Sequence, residues 1–353
     1  MGGIADLDVA FPASRISAQQ MSTVSGVPIP DILEITHSES FPILGPDEQS
    51  WELTLEAARA VLKREQVEPA VIGQVIFAGS GEWDVPFWSP AAKVASELGI
   101  EHAHCFEIAN FCNAGMTAVR TGLDGIAAGR TEYALVLVGD RLGRMVDHGD
   151  PAAKALFNLG DAAAAVLLAR DDYTFEVLHS AMRTDPSWSD YYLGEHRPDR
   201  VVIRRGGHRR GLAAAYVDNF TSLIGETLES LGKGISDVTH FLINQGDRSM
   251  HERLLREIGI PAERSVFNYD RLGHMGGADT MIALRGLMDE HRLRPGDLIL
   301  LATSAMGFSW GITALEYRPH GRIRSSPQTT TVSPLTARTH GTDSRHRLTA
   351  RKG

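Results

Sequence analysis

The chain has 353 residues, 43% hydrophobic and 22% charged, which is enough apolar content for one large core or two fused halves and excludes wholesale disorder. Its net charge of −9 conceals a basic end: residues 319–353 carry seven Arg and Lys against Asp343 alone, leaving the rest near −15 and arguing against a nucleic-acid binder. The two cysteines, Cys105 and Cys112, offer no disulfide framework or metal cluster and fit a reducing compartment.

Residues 1–12 contain no basic segment followed by an apolar run, so no signal peptide is expected. No apolar run approaches the ~20 residues of a membrane span, and a soluble, cytoplasmic chain with no membrane partner is expected. Residues 53–80, LTLEAARAVLKREQVEPAVIGQVIFAGS, read as an amphipathic helix, a polar connection and a strand rich in Val, Ile and Phe. AKVASELGI is a short helix closed at Gly99, and HCFEIANF, which contains Cys105, is strand-like. CNAGMTA leads into a helix over 113–128, followed by the apolar strands YALVLVGD and AAAAVLLA.

The same order then returns. FTSLIGETLESLGKGISDVTHFLINQGD (220–247) matches 53–80 without a gap, and ERLLREIGI is closed at Gly259. SVFNYDRL reads as a strand, HMGGADT leads into a helix over 277–290, and DLILLATS and WGITALEY complete the repeat. Such self-similarity marks a duplicated unit. Strands and helices alternating at this spacing imply βαβ units and mostly parallel sheets in an α/β fold. The division expected is an N-terminal half (1–172), a C-terminal half (173–318) and a polar, basic tail (319–353) without packed structure.

Cys112 and His274 occupy corresponding places, each where a strand gives way to a helix. A two-fold repeat would bring those places together at the middle of the molecule. A cysteine at a helix N-terminus is favoured as thiolate, because the dipole and unpaired N–H groups stabilise negative charge there. Ala114 and Gly115 beyond it leave room for a substrate. His274, flanked by Gly273 and Gly276, can exchange protons near neutral pH. Asn244, at the end of strand HFLIN, is the third polar group expected in the same region. Cys105, inside a strand, is read as an ordinary core cysteine.

The segments CNAGMTAVRTGLDGIAAGRTEYALVLVGDRL, FNLGDAAAAVLL, NYDRLGHMGGAD and RPGDLILLATSAMGFSWG, in this order, resemble the β-ketoacyl-ACP synthase III group of the thiolase superfamily. The resemblance implies a five-layered αβαβα thiolase fold built from two duplicated halves, and a homodimer. It implies a transferase working by ping-pong chemistry, in which acyl-CoA or an acyl carrier protein first acylates Cys112. The oxyanion hole would come from the backbone N–H groups of Cys112 and Gly307. Phe87, in a loop that resembles one reaching into the partner's pocket, and Phe308 would line the acyl pocket. Arg204, Arg205, Arg209, Arg210 and Arg248 would meet the carrier or CoA. No metal or cofactor is implied beyond the CoA or phosphopantetheine thioester.

The chain departs from the family pattern in several ways, the first of them at the polar pair. The family has histidine where this chain has Asn244, and asparagine where it has His274. Decarboxylative condensation with a malonyl thioester asks for hydrogen-bond donors around a carbonyl, whereas transfer to an alcohol or amine asks for a base, which His274 supplies. The segment GVPIPDILEITHSESFPI lacks the family's Trp and Arg for the CoA adenine, and Ser304-Ala305-Met306-Gly307 replaces a run of glycines. Glu82 lies loosely where the related hydroxymethylglutaryl-CoA synthases carry an acid. These departures suggest a specialised acyltransferase, serving secondary metabolism, with 3-oxoacyl-ACP synthase III activity as the alternative and a non-catalytic partner subunit as a further one. A nucleotide-binding reading fails for want of a G-x-G-x-x-G after a first strand.

Overall fold

A computed structural model describes residues 2–206 and 210–319. The first half runs β1 (Gly3–Ala10), β2 (Arg15–Ser17), α1 (Ala18–Ser25), α2 (Ile29–Thr36), β3 (Ser40–Pro42) and α3 (Ser50–Glu65). It continues through β4 (Ile72–Gly79), α4 (Pro90–Leu98), β5 (His104–Ala109), α5 (Ala114–Ala127), β6 (Tyr133–Gly139) and β7 (Ala163–Ala169). The second half runs β8 (Phe175–Thr184), the hairpin β9 (Tyr192–His196) and β10 (Val201–Arg205), α6 (Leu212–Ser230) and β11 (Val238–Ile243). It ends with α7 (Arg248–Ile258), α8 (Asp279–Asp289), β12 (Leu298–Ala305) and β13 (Ser309–Tyr317). Apart from its first residue, the expected tail lies outside the described residues.

Strand order displays the duplication. The first half lies in the order β5-β4-β6-β7-β1 and the second in the mirrored order β8-β13-β12-β11, the two meeting where Gly3 and Ile4 pair with Glu176 and Phe175. The sheet is mixed, which corrects the expectation of mostly parallel strands. β4 runs parallel to β5 and β6, and β11 to β12, because helices cross between them. β12 and β13 are joined by only Met306, Gly307 and Phe308, a connection that forces an antiparallel pair.

Three apolar clusters separate five layers. One packs α3 and α4 on the first half of the sheet through Val61, Val94, Phe77 and Leu135. Another packs α6 and α7 on the second half through Phe220, Leu254, Phe241 and Leu300. The third lies between, where α5 and α8 (Met116, Val119, Met281, Leu284) face Ile76, Val136, Leu242 and Leu301. Strands with both faces covered must be apolar throughout, and β6, β7 and β12 are buried over almost their whole length.

Two local features differ from simple periodicity. Residues 265–272 form no strand; only Ser265 bridges to Phe241. The Gln245 side chain takes the ladder's place, donating to Val266 O (3.2 Å) and accepting from Asn268 N–H (3.0 Å). The N-terminus of α3 has no cap of its own. Asp84, from the loop after β4, accepts from Ser50 N–H (2.9 Å), Ser50 Oγ (2.7 Å) and Trp51 N–H (3.0 Å), and pairs with buried Arg141 (3.2 Å). That contact pins the loop carrying Glu82 and Phe87.

Candidate active site

Cys112 sits in a short turn, Phe111–Asn113, between β5 and α5. Phe111 adopts φ +47°, which costs a residue with a Cβ roughly 1–3 kcal/mol and turns the following side chain sharply off the strand. Asn110 braces the turn through its N–H to Gly79 O (3.1 Å) and its Nδ2 to Thr117 Oγ1 (2.9 Å). Cys112 is 8% exposed and lies just ahead of the α5 N-terminus. Glycines let the two central helices start in contact. A Cβ on Gly115 would stand 3.3 Å from Gly277 O, and one on Gly277 3.1 Å from Val138 Cγ1.

His274 comes from the opposite half, five residues before α8 begins at Asp279. Its backbone is held between Asn158 O (2.6 Å from His274 N) and Gly160 N–H (3.0 Å to His274 O). Its Nε2 stands 3.2 Å from Cys112 Sγ. Its Nδ1 stands 2.5 Å from Oδ2 of Asp279, the first residue of α8. Asp279 is 2% exposed and also accepts from Met275 N–H (2.9 Å) and Gln245 N–H (2.6 Å). A carboxylate on Nδ1 assigns that nitrogen the proton, which leaves Nε2 to exchange one with sulfur. Burial opposes a charge on the imidazole, yet the negative charges of Cys112 and Asp279 outweigh it and hold His274 well above its usual range.

Asn244 is 5% exposed, and its amide is engaged with the backbone of Ser304, whose N–H it accepts (3.1 Å) and to whose carbonyl it donates (3.1 Å). Gly307 takes φ +89° in the turn between β12 and β13. Asn113 Nδ2 donates to Ser309 Oγ (2.6 Å), tying the cysteine turn to the first residue of β13, just after the Gly307 turn.

Residues 106–186 match the profile of 3-oxoacyl-[acyl-carrier-protein] synthase III, and residues 228–317 that of its C-terminal part. The first match contains Cys112, and the second contains Asn244, His274, Asp279 and Gly307. The chain belongs to the synthase III-like family. It is thereby an acyltransferase of the ketoacyl synthase III type. The chain is 27% identical over 312 residues to the β-ketoacyl-[acyl-carrier-protein] synthase III of Sphingopyxis alaskensis, covering 87% of this chain and 96% of that one. It is 29% identical to the 3-oxopimeloyl-[acyl-carrier-protein] synthase of Rhodothermus marinus, over 84% of this chain and 88% of that one. The crystal structure of the synthase III of Aquifex aeolicus superposes with a TM-score of 0.81 at 23% identity, covering 90% of this chain and all of the other. Cerulenin-bound OleA of Xanthomonas campestris gives 0.79 at 20% identity, over 90% and 97%. These last two likenesses establish the thiolase-like fold.

Within this synthase III-like chain the remaining expected site residues are scattered. Phe308 is buried against Trp188, Tyr191, Tyr192 and Trp310. Phe87 is fully exposed at φ +52°. Glu82 is exposed, and its N–H reaches Ser80 Oγ (3.3 Å). Arg204 does not stand free for a carrier. It binds Asp147 (2.8 Å), Asp150 (3.0 Å) and Glu195 (3.0 Å), tying the β9–β10 hairpin to the loop after β6. Arg205 covers the Tyr191 ring at 4.8 Å, Arg248 pairs with Glu252 (2.9 Å), and Arg210 is exposed. Arg209 lies outside the described residues. No group of His, Cys, Asp and Glu suited to a metal occurs among the described residues, and no described helix is long and apolar enough to cross a membrane.

Sequence reasoning missed two buried carboxyls. Asp279 was legible only as the acid five residues after His274, at a helix start. Asp140, just after β6, accepts from Ser80 N–H (2.7 Å), and burial pushes its carboxyl up to about 7.

Proposed function

We propose that Cys112 takes an acyl group from an acyl-CoA or acyl carrier protein and passes it to an alcohol or amine. The observation that carries this reading is His274 held between Cys112 Sγ at 3.2 Å and Asp279 at 2.5 Å. In the first half-reaction the sulfur attacks the thioester carbonyl, and the tetrahedral oxyanion faces the N–H groups of Cys112 and Gly307. Collapse breaks the bond to the carrier thiolate, which leaves with the proton from His274 Nε2. In the second, Nε2 removes the acceptor's proton as its oxygen or nitrogen attacks the acyl carbonyl. Loss of the Cys112 sulfur yields an ester or amide and restores the pair. Asp279 keeps Nε2 facing the reaction and stabilises the imidazolium formed.

Decarboxylative condensation is the second reading, favoured by the names of the curated relatives. It asks for paired donors on a thioester carbonyl, and the Asn244 amide is already committed to Ser304. A homodimer with Phe87 entering the partner's pocket fits the full exposure of that ring and the place of β5 at the outer edge of the sheet among the described residues. The departures from the family pattern fit a role in secondary metabolism.

Intact-mass analysis after incubation with acyl-CoA and acyl carrier protein panels tests the first step. The expected result is one acyl adduct that Cys112→Ala abolishes; an adduct that survives in this variant refutes the reading. The acylated enzyme is then offered malonyl-CoA, alcohols and amines. Release of CO2 with a 3-oxoacyl product selects condensation.

A further inference from the structure

Ser304, the penultimate residue of β12, is held on three sides. Asn244 accepts its N–H and donates to its carbonyl, and its Oγ donates to Tyr216 Oη on α6 (2.8 Å). The parallel ladder explains why. β11 ends at Ile243, opposite Ala302, and Asn244 N–H still reaches Ala302 O (3.2 Å). Beyond that rung the β11 backbone turns away towards Asp247 and α7. The Asn244 side chain, which like a peptide has one donating and one accepting edge, supplies the next rung itself. Ser304 is 8% exposed, so without the amide two buried backbone groups lose their partners. On its other edge Ser304 pairs with Trp310. Tyr216 is anchored by an edge-on contact with Phe220, 4.9 Å between centroids.

Ala305 and the Met306-Gly307-Phe308 turn follow directly. Nothing lies within 4 Å of where a Cβ on Gly307 would stand. The far side of the turn is held at Phe308, whose carbonyl accepts from Asp185 N–H (3.1 Å). The near side is held by the end of β12, and there the clamp on Ser304 fixes the strand.

We infer that Asn244 and Tyr216 are positioning residues: through Ser304 they hold the Gly307 turn where its N–H faces a thioester oxygen. Neither residue exchanges a proton in the reaction. The inference rests on the proposed acylation of Cys112. It also gives the exchanged pair a physical sense. With His274 oriented by Asp279, position 244 is released from proton chemistry and serves the strand.

Two reactions of the same sulfur separate this role from its rivals. Alkylation of Cys112 by iodoacetamide needs the sulfur and the imidazole but no oxyanion donors, whereas acylation by a thioester needs both. The full chain and the variants Asn244→Leu and Tyr216→Phe are compared with iodoacetamide and with the acyl-CoA, from acetyl to octanoyl, that acylates the wild type fastest. Asn244→Leu is expected to slow acylation by about 100-fold, comparable to losing one oxyanion donor, and Tyr216→Phe by roughly 3- to 10-fold. Alkylation rates and their pH profiles should stay within about two-fold of wild type. If Asn244→Leu slows alkylation as much as acylation, or shifts its pH profile, the amide acts on the Cys112–His274 pair and the inference is wrong. If neither rate moves, the clamp does not hold the turn, and it is equally wrong. Should Asn244→Leu fail to fold, Tyr216→Phe, which loses only a hydroxyl, decides alone. A wild-type chain that alkylates at Cys112 but accepts no acyl group overturns the parent reading, and this inference falls with it.

Discussion

His274 Nδ1 and Asp279 Oδ2 lie 2.5 Å apart in a pocket where Asp279 is 2% exposed and accepts two further backbone N–H groups. A carboxylate so placed orients an imidazole with one nitrogen donating to it and the other turned to Cys112. Asparagine in its place would offer an amide of nearly the same shape but no charge.

Asp279→Asn is therefore expected to keep the fold and lose the transfer step. The amide can donate to Nδ1, which favours the tautomer with the proton on Nε2 and so blocks the base. Transfer from acylated Cys112 should fall by about 100- to 10,000-fold, measured as decay of the acyl adduct by intact mass in the presence of acceptor. Unchanged decay would remove Asp279 from the mechanism.

The pH dependence should differ between the free and the acylated enzyme. In the free enzyme two negative neighbours, Cys112 and Asp279, raise His274 against the opposing effect of burial. Acylation removes the sulfur's charge and leaves Asp279 alone against burial. His274 should then lose its proton at lower pH in the acyl-enzyme than in the free enzyme. Transfer needs the neutral base, so its rate should rise with pH through the acyl-enzyme value and then level off. Imidazole NMR of the two forms checks this, and equal titration curves would contradict it.

Asp84→Ala should be severely destabilising. It removes the cap of α3 and leaves Arg141, whose side chain is 9% exposed, without its carboxylate. Breaking a buried pair costs about 3–5 kcal/mol. Chemical denaturation should show a loss of that order, whereas a loss below about 1 kcal/mol would mean that water replaces the carboxylate.

Asp140→Asn should stabilise the protein at alkaline pH. Burial keeps the folded carboxyl protonated up to about 7, against the ordinary carboxylate value of 3.8. The folded state therefore binds more protons than the unfolded state across that window. Stability contributed by this group falls as the pH rises from roughly 4 to 7 and stays low above it. Asparagine keeps an oxygen for Ser80 N–H and has no charge to bury. The variant should gain about 2–4 kcal/mol over wild type at pH 8 and little at pH 4. Thermal melts across this range decide the matter; a gain independent of pH would refute the cause given.

Apolar periodicity and the internal repeat were enough to lay out the elements, because burial of a helix face or a strand leaves its period in the chain itself. They marked Gly99 and Gly259, both left-handed helix ends, and put Cys112 and His274 at corresponding places of the repeat, although no strand precedes His274. What they could not supply was the partner of each polar group. Asn244 meets Ser304 across 60 positions, Asp279 meets Gln245 across 34, and Arg204 meets Asp147 across 57. Residues 265–272 carry strand composition, yet the side chain of Gln245 occupies the ladder positions a strand would need. By itself the sequence determined the layers and the pairing of Cys112 with His274, since both follow from local pattern and duplication. Only the tertiary structure decided that Asp279 orients the histidine while Asn244 serves the strand. Hydrogen bonds depend on direction and distance to within a few tenths of an ångström, and such geometry leaves no period in a sequence.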